Sequence, residues 1–232
     1  ISGEYWQKFE DAVYAVDTYG NYTGINPETG LSYTEYCDLN SLARMYLLYF
    51  FSDNQDAYAQ STFYYKDDGT FFAGPIWDGD QTFGVGWVEP VSADSELRMH
   101  YLIEALVKIP SFREAAAKIY YTEFRDLAEH YSTQTIYEYE ADLAASERMN
   151  HMLWPTYFSA SGLYNAYPAD TTYHQIIITT AQWMRERISY MDEKFSDWVQ
   201  FEEPIPEKET DEVPVPAEST LAESEQETPA SE

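Results

Sequence analysis

Asp78 and Asp80 stand either side of a glycine in GPIWDGDQTFG, residues 74–84, directly behind a short apolar run that ends in Trp77. Two carboxylates this close repel each other unless something cationic sits between them, and a hard divalent ion takes oxygen ligands of this kind. If the segment continues a strand, residues two apart point to one side with alpha carbons roughly 6.5 to 7 Å apart. Both carboxylates then reach one ion. Gly79 removes the side chain between them and permits backbone angles that other residues resist. The competing reading is an Asp-Gly turn with solvated carboxylates.

A second polar cluster, SDNQDAYAQS at 52–61, gathers oxygen ligands in Asn54, Gln60 and Ser61 and a candidate base in Asp56. It lies between a packed helix and a hairpin, and loops held by rigid flanks are where catalytic residues tend to sit. Taken alone, the cluster reads better as a polar helix exit. The two clusters gain meaning together, because a hairpin returns the chain close to where it began and lets Asp56 and Asp78 face one cleft.

The elements that must position these residues are readable from period and punctuation. Apolar spacing predicts a helix over residues 1–20, with Ser2 as cap and Gly20 as stop. Residues 21–36 read as a loop. Asp38 then caps the broadly apolar helix LNSLARMYLLYFF. Two aromatic runs in STFYYKDDGTFFAGPIW flank Asp67, Asp68 and Gly69, the signature of a β-hairpin. Helices are expected from Ser95 to Ile109, from Pro110 to about His130, from Thr133 to about Met152 and from Thr171 to Trp198. The Pro, Gly and Tyr-rich segment 154–169 separates the last two. The sum is an α+β fold in which helices dominate.

Composition bounds the partners. The 232 residues carry a formal net charge of −28, which repels nucleic acid and anionic membrane surfaces. No apolar run approaches the ~20 residues that a membrane span requires. The N-terminus lacks the pattern of a signal peptide. The lone Cys37 reads as a small buried apolar residue. The histidines show no zinc-ligand spacing, no serine lies in GxSxG, and Gly84 and Gly86 read as turn glycines rather than a dinucleotide loop. Beyond Phe201 the sequence turns acidic and proline-dotted, the composition of a disordered tail or linker. The expected division is therefore residues 1–200 and 201–232.

The order LARMYLLYFFSDNQDAYAQSTFYYKD, then FFAGPIWDGDQTFG, resembles the spore-coat CotH kinase family, over Asp38 to Gly84 most closely and more loosely through LIEALVKI and PSFREAAAKIYYTEFRDL. The resemblance implies an atypical protein-kinase-like C-terminal lobe, in which a hairpin carrying the metal site is followed by a helical bundle. It further implies Mg²⁺-dependent transfer from ATP to Ser or Thr hydroxyls of a protein substrate. Asp56 would match the aspartate that accepts the hydroxyl proton, and Asp78 the metal-holding aspartate. Asp80 would share the metal, Gln60 or Ser61 would stand where a second metal ligand is expected, and Asn54 and Trp77 are candidates for contact with the nucleotide.

Location at the cell surface, outside the cell or in a spore coat follows from the same resemblance, with coat or surface proteins as partners. The chain shows neither a glycine-rich phosphate-covering loop nor a lysine and glutamate pair ahead of the catalytic loop, and Lys8 sits in a helical pattern. The expectation is the C-terminal part of a longer enzyme, inactive by itself. Two other classes compete: a carbohydrate-active domain built on paired carboxylates and many aromatics, and a non-catalytic surface or coat scaffold that uses divalent ions as glue.

Overall fold

A computed structural model describes residues 3–86, 90–97, 100–154, 167 and 171–199. The readings made for the acidic segment 201–232, and for most of 154–169, lie outside the described residues. Among these, seven α-helices surround one two-stranded sheet: α1 (Gly3–Val13), α2 (Leu39–Ser52), β1 (Thr62–Asp67), β2 (Thr70–Ile76), α3 (Tyr101–Leu106), α4 (Pro110–Ile119), α5 (Arg125–His130), α6 (Ile136–Leu153) and α7 (Tyr173–Ser196). The helix-dominated α+β reading holds. No helix among the described residues is long and apolar enough to cross a membrane.

Helix α2 is the axis of the core. The Asp38 carboxylate accepts from the Ser41 amide at 2.6 Å, so the helix starts where the sequence places it. Leu42, Ala43, Met45, Tyr46, Leu47, Tyr49, Phe50 and Phe51 are all buried, which leaves almost no polar face. A helix apolar on nearly every side must be enclosed. α4 closes on it through Phe112, whose ring meets Tyr46, and α7 through Phe195, which packs on Phe50 and Tyr46. α1 covers the hairpin by packing Trp6 and Phe9 onto Phe71.

The hairpin pairs Tyr65 with Phe72 and Asp67 with Thr70, and its turn residues Asp68 and Gly69 both take positive φ, as a tight two-residue turn demands. Phe71 ties β2 to the entry of α2, since its amide donates to Tyr36 O and its carbonyl accepts from Asp38 N. Cys37 is buried beside it, as its type implies.

Three helix boundaries differ from expectation. α1 ends at Val13, because the Asp17 carboxylate gathers the Tyr19 and Asn21 amides and the chain turns back to bridge Val16 with Tyr22. Local side-chain capture of backbone donors outcompetes the helical spacing there. α3 begins only at Tyr101, because Ser95 spends its hydroxyl and carbonyl on tertiary partners described below.

The break expected near Thr133 is absent. Instead the helical path from Pro110 to Leu153 is continuous and widens into π-helical turns at Tyr120–Phe124 and Tyr131–Thr135. Ser132 and Thr133 return their hydroxyls to Glu129 O, and Arg185 donates to Ser132 O, so the polar run is satisfied without ending the helix.

Gly84 marks a close approach between the hairpin exit and α7. Its φ is +90°, and an added Cβ would lie 2.8 Å from the Trp183 ring. Gly84→Ala therefore combines a disfavoured backbone with a steric collision and should cost about 2 kcal/mol or more. Urea unfolding measures it, and a variant as stable as the parent would contradict the packing described.

Candidate functional site

α2 ends because Asp53 enters the left-handed region, at φ 46° and ψ 51°, with its amide donating back to Phe50 O and Tyr49 O. Aspartate tolerates this conformation better than most residues. The chain then coils through residues 54–61 before β1 begins. Gln60 N and Ser61 N both donate to Asp56 O, at 3.2 and 3.4 Å, so the loop wraps around the backbone of Asp56.

Asn54 braces this loop against the other cluster. It is buried, its Oδ1 accepts from Asp56 N at 3.0 Å, and its Nδ2 donates to Asp78 O at 3.2 Å. Gln55 N donates to Gln81 O, and Phe83 N to Ser52 O at 2.7 Å. Three hydrogen bonds thus lace the loop after α2 to the segment after β2. The Asn54 amide, expected from the sequence to contact a nucleotide, is engaged in holding Asp56 and Asp78 in register.

The aspartate pair is not on a strand. β2 ends at Ile76, and Asp78 has φ +60°, so the same-side geometry of a strand does not apply. A turn brings the carboxylates together instead, with Thr82 Oγ1 donating to Gly79 O at 2.7 Å. The outcome is more specific than a strand pair: one carboxylate oxygen from each of Asp56, Asp78 and Asp80 lies within 4.8 Å of the others. Asp56 is half-buried, and Asp78 and Asp80 are exposed.

Ser61, buried at the loop's end, directs its hydroxyl to Asp78 Oδ2 at 3.4 Å. Gln60 is exposed, and its backbone amide ties it to Asp56 O. Trp77 is 61% exposed and meets Phe63 edge-on at 6.3 Å, so an open indole face adjoins Asp78.

Chemically, three clustered carboxylates do two things. They offer hard oxygen donors from two chain segments to one divalent cation, and they place a half-buried potential base beside it. The oxygens lie closer than the ~6.5 to 9.5 Å separation that lets an inverting glycosidase seat its water. The inverting-glycosidase form of the carbohydrate reading loses its geometric support. His100 accepts from Leu102 N at the start of α3, and His174 pairs with Glu140; neither belongs to the acidic cluster.

One group that sequence reading missed lies directly behind the site. Asp53 is 2% exposed, and burial raises its carboxyl above the usual range, opposed by the Ser95 hydroxyl and the Arg187 guanidinium. Arg187 is the only fully buried charged side chain among the described residues.

A family model described as CotH kinase protein matches residues 2–191 of this chain. No curated protein and no solved structure matches it.

Proposed function

The chain belongs to the CotH kinase protein family, and from that premise we propose that it carries the catalytic and metal-holding residues of an atypical protein kinase that transfers the γ-phosphate of ATP to Ser or Thr hydroxyls of a protein substrate. The observation that carries the reading is the convergence of Asp56, Asp78 and Asp80 from two laced segments. Magnesium suits such a donor set, because it is held by one or two carboxylates and keeps several waters.

When bound, the ion supplies neutralisation of phosphate charge, which is the main demand of phosphoryl transfer along with positioning. Asp78 and Asp80, exposed on the turn, would hold it. Ser61 is favoured over Gln60 as the neutral oxygen ligand, because its hydroxyl already faces Asp78. Asp56, less exposed and fixed by its own backbone contacts, accepts the proton of the attacking hydroxyl. The open face of Trp77 offers a platform for a base beside the phosphates. Surface or coat proteins are the substrates we favour, on family grounds, and the same grounds favour a location at the cell surface or in a coat.

The test, made with the protein at its full natural length, is transfer of labelled γ-phosphate from Mg-ATP to a protein acceptor. Asp56→Asn keeps the shape of the side chain and removes its basicity, so kcat should fall by about 10²- to 10⁴-fold with little change in KM for ATP. Undiminished kcat in that variant would remove Asp56 from the chemistry.

A further inference from the structure

Arg187 lies in the middle of α7 with its side chain wholly buried. Its Nε and Nη2 both donate to Phe50 O, at 2.8 and 2.6 Å, and its Nη1 donates to Ala93 O at 3.0 Å and to Ser95 O. The guanidinium lies over the Phe50 ring, 4.5 Å from its centre. Nη2 is 3.9 Å from Asp53 Oδ1, an oxygen that is buried without a hydrogen-bond partner, while Asp53 Oδ2 accepts from the Ser95 hydroxyl. One planar cation therefore satisfies the last turn of α2, faces the carboxylate of the left-handed residue that ends it, and holds residues 93–95.

The same helix touches the other half of the site. Trp183, one turn before Arg187, donates its indole N–H to Val91 O at 2.8 Å, and its ring closes on Gly84 and Phe83. Phe83 is in turn bonded to Ser52. α7 thus grips both the segment that leads to Asp56 and the segment that leaves Asp80.

We infer that Arg187 is a positioning residue for the acidic triad: by satisfying Phe50 O and balancing Asp53, it fixes the direction in which the chain leaves α2 and so places Asp56 opposite Asp78. The consequence for ion binding rests on the function proposed above; the ordering of the loop does not. A lysine cannot do this work, because one ammonium cannot present a rigid planar fork to three carbonyl groups at once.

The experiment uses the whole chain with Arg187→Lys, Asp53→Asn and the double substitution. Amide hydrogen exchange is read over residues 54–61, where Asn54, Gln55, Ala57, Ala59, Gln60 and Ser61 all donate backbone hydrogen bonds, with residues 42–51 and 112–119 as internal references. Mn²⁺ affinity is read in parallel from the spin-resonance signal of the free ion. In Arg187→Lys, exchange at 54–61 should accelerate about tenfold beyond whatever change the two reference helices show, since the added opening is local.

Mn²⁺ binding should weaken by about tenfold, in the range found when the support of a metal ligand is removed. Asp53→Asn should accelerate the loop by about threefold, and the double substitution should fall short of the product of the two, as coupled neighbours do. Loop exchange that is unchanged, or that rises equally through the reference helices, overturns the inference. If the parent chain holds no Mn²⁺ yet the loop alone loosens, positioning stands and the metal reading falls. Should Arg187→Lys fail to fold, Asp53→Asn decides by the same loop criterion.

Discussion

Asp78→Asn is expected to abolish divalent-ion binding while leaving the ion-free protein at least as stable as its parent. Both halves follow from the geometry. Three carboxylate oxygens within 4.8 Å of one another repel in the absence of a cation. Neutralising one of them relieves that repulsion, and the exposed Asp78 side chain gives up little, because the long 3.4 Å hydrogen bond from the buried Ser61 hydroxyl can still be accepted by an asparagine Oδ1. With the ion, the sign reverses: a neutral amide is a far weaker ligand for magnesium than a carboxylate, so affinity should drop by at least about 100-fold, beyond what loss of a supporting group costs.

Thermal melting with and without magnesium separates the two effects in one titration. The parent should melt higher as the ion is added, by the mass-action rule for a ligand that binds only the folded state, and the variant should not respond. Asp80→Asn should behave in the same direction. An Asp78→Asn protein that is less stable without the ion, and equally responsive to it, would return the segment to an ordinary solvated turn. A response to calcium with no further effect of a nonhydrolysable ATP analogue would support the scaffold alternative over the kinase.

What could be read in the sequence was whatever local chemistry decides. Asp38 caps α2 because its carboxylate reaches Ser41 N without help from distant residues, and Asp68-Gly69 turns the hairpin because both positions tolerate positive φ. The partnership of Asp56 and Asp78 was visible because the hairpin forces the two clusters together. The conformation that joins Asp78 to Asp80 was not, because a positive φ at an aspartate depends on Asn54 and Gln55 bonding across to that segment.

Arg187 was hidden for another reason. Within WMRERISYMDEKF it reads as a solvated charge beside Arg185 and Glu186. Yet Met184, Ile188, Met191 and Phe195 form the buried stripe of α7, and Arg187, three residues after Met184 and four before Met191, falls on that stripe. A charge at a core position is the signal that sequence could have offered.

That buried position sets the second large expectation: Arg187→Met should destabilise the protein by about 3 to 5 kcal/mol at neutral pH, the range for removing one partner of a buried charge. Methionine fits the volume, so the loss is electrostatic rather than a cavity. Ala93 O and Ser95 O lose their Arg187 donor, Phe50 O keeps only the Asp53 amide, and the Asp53 carboxylate is left buried with only the Ser95 hydroxyl.

The pH dependence identifies Asp53 as the source. Its carboxyl is already raised by burial, with Ser95 and Arg187 holding it down, and loss of the cation raises it further. A carboxyl whose folded pKa exceeds its unfolded one binds its proton more tightly in the native state, so its contribution is fully present below the unfolded pKa and is lost as pH rises through the folded one. Acidification from neutral toward the ordinary carboxylate range should therefore shrink the deficit of Arg187→Met relative to its parent. Asp53→Asn in the same background should shrink it at neutral pH, where the carboxyl is charged, and flatten its slope. Urea unfolding across that window measures both, and a deficit independent of pH and unmoved by Asp53→Asn would show that the carbonyl contacts of Arg187 carry its whole effect.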